Sequence, residues 1–452
     1  MQRTSTTIRN FGLLIVAGII SGLVFTGCKK SDNKETSGLW SQEKAATWYA
    51  QQPWLNGANF QPSSAINQVE MWAGESFDAA TIDKELGWAR ELGFNLMRVY
   101  LSSEVWKADA EGLKKRMDEY LTISSKHNIK TLFVFFDDCW NEETVAGTQP
   151  APKPGVHNSG WVQDPAVSLR KDTATLFPIL EKYVKDILTT FKNDERVLLW
   201  DLYNEPGNSQ HGMASMPLLK NVLKWAREVN PSQPVSAGVW FFKYPELNQF
   251  QIENSDVLTY HNYRDPENHQ LWIDLLKIHG RPMICTEYMA RRNNSRFENV
   301  MPMLKRNNVG AINWGFVSGK TNTIFAWDEP KPNEKEPTLW FHDIFRQDKT
   351  PFDPNEVELI KKLNGKISEV KLMKAEDFKG TIDGKEVALY TLKNRQGMVT
   401  QITNFGGRVV TLWTPDRNNN MLDVVTGFNS LEAYQKGNEA YFGALIGRYG
   451  NR

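Results

Sequence analysis

Trp200-Asp-Leu-Tyr-Asn-Glu-Pro206 is a short, mostly apolar run that stops abruptly at a glutamate. Ile284-Cys-Thr-Glu-Tyr288 does the same at Glu287. Each reads as a buried strand closed by a charged residue. Around them, residues 54–316 alternate short apolar runs with longer amphipathic ones, the pattern of a parallel sheet with crossover helices. Eight strands are predicted, at 55–59, 96–100, 131–136, 198–204, 234–240, 256–261, 282–287 and 310–316. Helical patterns fall at 78–92, 108–127, 177–191, 218–229, 269–279 and 296–307, with one more at 355–363. Asp78 caps the first of them and Gly93 stops it. Eight strands predict an α/β fold of the (βα)8 TIM-barrel type. A doubly wound sheet would open on a glycine-rich turn, which the first strand lacks. On this count Glu205 follows strand four and Glu287 ends strand seven. Both then sit on the face where such barrels carry their chemistry. The long stretch 141–168, rich in Pro and Gly, lies after strand three on that face and reads as a substrate-side loop.

The rest of the 452 residues divide by composition. Residues 1–28 read as a targeting segment. Arg3 and Arg9 precede an apolar run, 11–25, too short to span a bilayer comfortably. Phe25-Thr-Gly-Cys28 resembles a bacterial lipoprotein processing site, which implies lipidation of Cys28 and anchoring to the outer membrane of the cell envelope. An uncleaved anchor or a plain secretory signal is the alternative. Residues 29–49 read as a polar tether and 50–365 as the barrel. The remainder, 366–452, reads as an incomplete all-β segment. Its turn signals include Ile382-Asp-Gly384 and Asn404-Phe-Gly-Gly407. Lys plus Arg number 53 and Asp plus Glu 53, so no basic field is offered to nucleic acid. The membrane is expected as a partner only through the lipid anchor. Cys139 and Cys285, on different strands, are expected as free thiols.

Two glutamates on different strands of one barrel suit a particular chemistry. A retaining glycosidase needs two carboxyl groups about 5–5.5 Å apart, one protonated and one ionised. Glu205 is the expected acid, then base, and Glu287 the expected nucleophile. Arg98, late in strand two, is placed to supply charge to Glu287, and Tyr263 to donate to it. Asn204 is placed to hold a sugar hydroxyl. Trp314 reads as a sugar platform or as core, in keeping with 16 Trp in the chain. His261 reads as a locally satisfied strand-end histidine or as part of the acid–base machinery. Asp137 and Asp138 read equally as ligands of a sugar hydroxyl and as partners of a rim arginine. No metal and no cofactor are expected, since no His or Cys stands at ligand spacing beside the carboxylates.

At Arg98, Asn204-Glu205-Pro206, His261 with Tyr263, Glu287 and Trp314 the sequence resembles the clan A glycoside hydrolases, family 5 above all, over about residues 50–345. The resemblance implies retaining hydrolysis of a β-linked, plant-type glycan of the cellulase or xylanase kind. Ala311-Ile-Asn-Trp-Gly-Phe-Val-Ser-Gly-Lys320 also looks like strand eight of bacterial 1,4-β-xylanases. One departure is Asp137-Asp138, where family 5 usually has a histidine. The tail has its own resemblance. Leu392-Lys-Asn394, Ile402-Thr-Asn-Phe-Gly-Gly407, Val425-Thr-Gly-Phe428 and Tyr441-Phe-Gly-Ala-Leu-Ile-Gly-Arg-Tyr-Gly-Asn-Arg452 look like the start of an aldose 1-epimerase. That resemblance implies sugar binding by Asn451 and Arg452. The family's catalytic histidine and glutamate have no match here, so epimerase activity is not expected. Two other readings stay open: an epimerase-containing carbohydrate-processing protein, and a non-catalytic carbohydrate-binding lipoprotein.

Overall fold

A computed structural model describes residues 38–366, 370–395, 397–416, 421–437 and 441–445. Cys28, Asn451 and Arg452 lie outside the described residues. The first eight strands are β1 (Asn56–Asn59), β2 (Leu96–Tyr100), β3 (Lys130–Asp137), β4 (Val197–Asn204), β5 (Val235–Ser236), β6 (Leu258–His261), β7 (Met283–Tyr288) and β8 (Gly310–Asn313). They form one parallel sheet in the order β5-β4-β3-β2-β1-β8-β7-β6. A parallel bridge between Val239 and Tyr260 joins its two ends and closes the barrel. The expected TIM barrel is therefore the observed one.

Local chemistry explains the elements. In the helix Ala79–Leu92, Asp78 caps the Thr81 N–H and Gly93, at φ 81°, ends the last turn. The pattern at 108–127 forms the helix Ala110–Lys126, preceded by a short separate helix, Ser103–Ala108. Asp109 divides the two, because its carboxylate accepts from the Gly112 N–H and starts the longer helix. The predicted fifth strand keeps only Val235–Ser236 in the ladder, and Val239 pairs again only after Ala237 and Gly238.

Alternation along the strands sorts side chains to two sides. Met97, Val99, Phe133, Phe135, Trp200 and Leu202 pack with the helices in the large core. Leu96, Tyr100, Leu132, Val134, Leu199, Ile284 and Ile312 form a second, inner cluster. Arg98 lies between Leu96 and Tyr100 in this period, so a guanidinium is sent into the barrel. Among the described residues no helix is long and apolar enough to cross a membrane.

Beyond the helix Pro354–Leu363 the strands become antiparallel. A hairpin pairs Gly380–Ile382 with Lys385–Val387 through Asp383 and Gly384, both at positive φ. Four strands, Leu389–Lys393, Val399–Thr403, Arg408–Pro415 and Met421–Asp423, form a meander in sequence order. Its core is small, centred on Phe378, Val410 and Tyr434. The edge strands leave Tyr390, Leu392 and Leu422 more than half exposed.

Gly57 of β1 pairs with Leu96 of β2. A Cβ there would lie 1.6 Å from the Leu96 carbonyl oxygen. Gly57→Ala is expected to cost about 3 kcal/mol or more, read from the urea midpoint, because backbone rather than a flexible side chain must yield.

Candidate active site

Glu205 stands one residue beyond β4, at φ 44°. The left-handed region costs a non-glycine residue about 1–3 kcal/mol and is found where surroundings over-determine the backbone. Trp140 after β3, at φ 73°, and Met289 after β7, at φ 79°, share this property on the same face. The Asn208 N–H donates to the Glu205 carbonyl at 3.0 Å and holds its turn.

Glu287 is the fifth residue of β7 and is 5% exposed. Arg98 Nη1 donates to its Oε1 at 2.7 Å and the Tyr100 hydroxyl to the same oxygen at 2.9 Å. The Tyr263 hydroxyl donates to Oε2 at 2.6 Å. Burial holds both phenols far above their ordinary pKa, so they stay protonated and can only donate to a carboxylate. Such donors satisfy both oxygens of the Glu287 carboxyl group.

Arg98 has no exposed surface, and its other donors are also taken. Nε and Nη2 both reach Asp201 Oδ2, at 3.0 and 2.7 Å, Nη2 reaches Asn204 Oδ1 at 2.8 Å, and Nη1 reaches Asn59 Oδ1 at 2.9 Å. Asn204 Nδ2 in turn donates to Asp137 Oδ1 at 2.8 Å. Arg98 and Asn204 thus position the carboxylates from behind. Arg98 supplies charge to Glu287 as its place in strand two predicts, and as a fully enclosed side chain it does so without reaching a sugar. Asn204 is 4% exposed, with both side-chain polar atoms bonded to protein.

Glu205 meets a different environment. Its Oε1 is 2.7 Å from His261 Nδ1, and its Oε2 accepts from the Cys139 thiol at 3.3 Å and from Asn208 Nδ2. Burial raises the Glu205 pKa above the ordinary glutamate value, against the lowering effect of Cys139 and Asn208. Burial likewise pushes His261 down to about 4, so the imidazole is neutral near pH 7. His261 Nδ1 is also 3.4 Å from Glu287 Oε2. One oxygen each of Glu205 and Glu287 and one nitrogen of His261 all lie within 4.8 Å of one another. That grouping is compact enough for a cation, which sequence spacing did not reveal. The guanidinium bonded to Glu287 opposes a second positive charge there, and the arrangement suits proton transfer better.

Asp138 takes the second of its two readings and pairs with an arginine. It is 0% exposed, and Arg170, Tyr203, Ser215 and the Gly207 N–H surround its oxygens. It fastens the loop after β4 instead. Trp314 is half-buried, with its ring edge-on to Tyr100 and Trp161 at 6.0 and 5.7 Å. Sequence reading missed Tyr100, Asp201, Asn59, Cys139 and Asn208. Tyr100 alone had a signal, its two-residue spacing from Arg98 on one strand face. Cys139 and Cys285 are free and buried, as expected.

Two family models match parts of the chain. Residues 154–323 match the family model "Glycosyl hydrolases family 2, TIM barrel domain", and residues 388–452 match "Aldose 1-epimerase". The barrel is thus of the glycosyl-hydrolase kind, followed by an aldose 1-epimerase stretch; the matched hydrolase model is that of family 2, not of family 5. A probable aldose 1-epimerase of Arthroderma benhamiae is 41% identical over 51 residues, 11% of this chain and 12% of that protein. The chain therefore spans about an eighth of that relative's length. Among solved structures, GH5_18 from Streptomyces cattleya is 12% identical with a TM-score of 0.47, over 70% of this chain and 83% of that one. An endo-1,4-beta-D-mannanase from Thermotoga petrophila is 15% identical with a TM-score of 0.44, over 69% and 99%. A family 5 mannosidase from Rhizomucor miehei is 15% identical with a TM-score of 0.45, over 70% and 93%.

Arg98→Met is expected to cost about 3–5 kcal/mol in urea denaturation, because it leaves Asp201 and Glu287 buried beside no cation. Arg98→Lys keeps the charge and loses the fork that serves Asp201, Asn204 and Glu287 together, so an intermediate loss is expected.

Proposed function

We propose that the barrel is a retaining β-glycoside hydrolase acting on a plant-type glycan. The observation that carries this reading is the unequal treatment of two carboxyl groups brought close together. Glu287 receives three donors and a positive charge. Glu205 is raised by burial and shares a hydrogen bond with a neutral imidazole. Pairs of titratable groups held in different states are how one site supplies both acid and base.

In the first step Glu287 attacks the anomeric carbon while the glycosidic C–O bond breaks. The Glu205 proton passes to the departing oxygen. In the second step Glu205 takes a proton from water, the water oxygen bonds to the anomeric carbon, and the bond to Glu287 breaks. Arg98 and Tyr100 hold Glu287 Oε1, and Tyr263 holds Oε2. Cys139 and Asn208 hold the outer oxygen of Glu205. Trp314 offers a half-buried indole face to the sugar at the centre.

Glu205→Gln is expected to lower turnover of substrates with poor leaving groups by about 10²–10⁴-fold, and Glu287→Gln to lower turnover of all substrates. Azide is expected to restore a Glu287→Ala enzyme as an α-glycosyl azide and a Glu205→Ala enzyme as a β-azide. Proton NMR of the wild-type reaction is expected to show the β-anomer first; the α-anomer first would remove the retaining mechanism. Because Glu205 acts protonated, the basic limb of kcat/KM lies above the ordinary glutamate pKa of 4.5. That limb should vanish in Glu205→Ala assayed with a dinitrophenyl leaving group.

We also propose that Cys28 carries a lipid anchor. Its support is the basic start, the apolar run and the Thr-Gly-Cys sequence at 26–28. Cys28→Ala is expected to leave the membrane fraction or to accumulate unprocessed; unchanged cleavage and partitioning would remove this reading.

A further inference from the structure

Three loops on the active face are tied to one another. From the loop after β3, Asn158 N–H donates to the Thr321 carbonyl at 2.8 Å, in the loop after β8. Lys331 N–H donates back to the Gly155 carbonyl at 2.9 Å. His157 is buried and held neutral, so its Nδ1–H donates to the Phe325 carbonyl at 2.8 Å. Gly155, at φ 66°, allows an approach in which a Cβ would lie 1.9 Å from the Lys331 carbonyl oxygen. The stretch after β1 completes the ring. Asn67 Nδ2 donates to the Gly160 carbonyl at 2.8 Å, and Lys320 N–H to the Ser63 carbonyl at 3.1 Å. In the barrel order, β8, β1, β2 and β3 are consecutive neighbours. Together these loops roof that half of the mouth.

Trp161 lies beneath the roof. It is 2% exposed, its Nε1 donates to Asp137 Oδ2 at 2.7 Å, and it stands edge-on to Tyr100 at 5.0 Å. Tyr100 is the residue that bonds Glu287, and Trp314 is its other edge-on neighbour. The space bounded by Tyr100, Trp161, Trp314 and Thr321 is about 20 Å³ by the centres of a water-sized sphere. That end of the site is narrow, with room between these side chains for about one water. The other half of the mouth differs. After β4 and β5, Met213 is 45% and Phe242 46% exposed. Trp240 stacks on Phe241 at 5.0 Å and donates to the Pro206 carbonyl beside Glu205.

Chemistry gives these halves a direction. The leaving group departs on the side of the acid, Glu205, and the sugar that bonds Glu287 lies away from it. We infer that the β1, β3 and β8 loops close the site behind a single sugar ring, so that the enzyme removes terminal residues from the non-reducing end. The inference rests on the glycosidase reading above. The rest of the chain being cut then leaves over Trp240, Phe241 and Phe242, where surface is open.

The test uses the full chain and β-1,4-linked xylo-, manno-, gluco- and galactotetraose, each labelled at the reducing end with 2-aminobenzamide. Chromatography of early time points is expected to show labelled trisaccharide and unlabelled monosaccharide from the sugar that is cleaved. Labelled disaccharide or labelled monosaccharide as the first product overturns the inference and leaves the glycosidase reading standing. Cleavage of none of the four overturns both. Trp161→Ala, opened toward Trp314, is expected to raise nitrophenol release from a 4-nitrophenyl β-disaccharide relative to the monosaccharide glycoside by about tenfold or more. If wild type already releases nitrophenol directly from the disaccharide, the roof does not limit the site and the inference falls.

Discussion

The guanidinium of Arg98 is the constraint on which the site depends. It is enclosed at the centre of the barrel and joins Asn59, Tyr100, Asp201, Asn204 and Glu287, from four other strand positions and its own strand. Burying such a charge costs several kcal/mol unless its donors find acceptors of opposite charge. Here Asp201 and Glu287 supply that charge, and the planar fork fixes where each may stand. A barrel that folds around this ion has already placed Glu287 and the residue before Glu205. The inner cluster of Leu96, Leu132, Leu199 and Ile284 keeps water away from it.

From this follows the difference between the two glutamates. Glu287 is bonded directly to the buried ion. Glu205 feels Arg98 only at a distance and is bonded to Cys139, Asn208 and His261. A thiol is a weak donor and a neutral imidazole adds no charge, so burial wins and the carboxyl keeps its proton more firmly. The same barrel end therefore bonds one carboxyl to a buried cation and leaves the other raised by burial.

Much of this was legible residue by residue. Strands two, four and seven fall within a residue of where their apolar runs predict, because short buried strands carry a composition signal of their own. Glu205, Glu287, His261 and Tyr263 gather at one point because strand ends of a parallel barrel share a face. Asp138 had two readings in sequence. It looks like Asp137 in sequence, but only the contact with Arg170, thirty-two positions onward, shows that it faces the protein. Tyr100 had only its spacing from Arg98 to mark it, and nothing local marks Asp201 or Cys139 as neighbours of a carboxylate.

By itself the sequence determined the α/β order of elements, the two glutamates closing apolar strands, and a β-rich tail with its own turns. Those properties are local: hydrophobic period, capping and turn chemistry act over a few residues. Only the tertiary structure decided which donor serves which carboxylate, that burial raises Glu205, and that loops after β1, β3 and β8 lock over half the mouth. Arg98 and Glu287 stand 189 positions apart in the chain, and Asn67 and Gly160 stand 93 apart. Desolvation and hydrogen bonding depend on what packs nearby in space, and closure of the barrel is what brings such residues together.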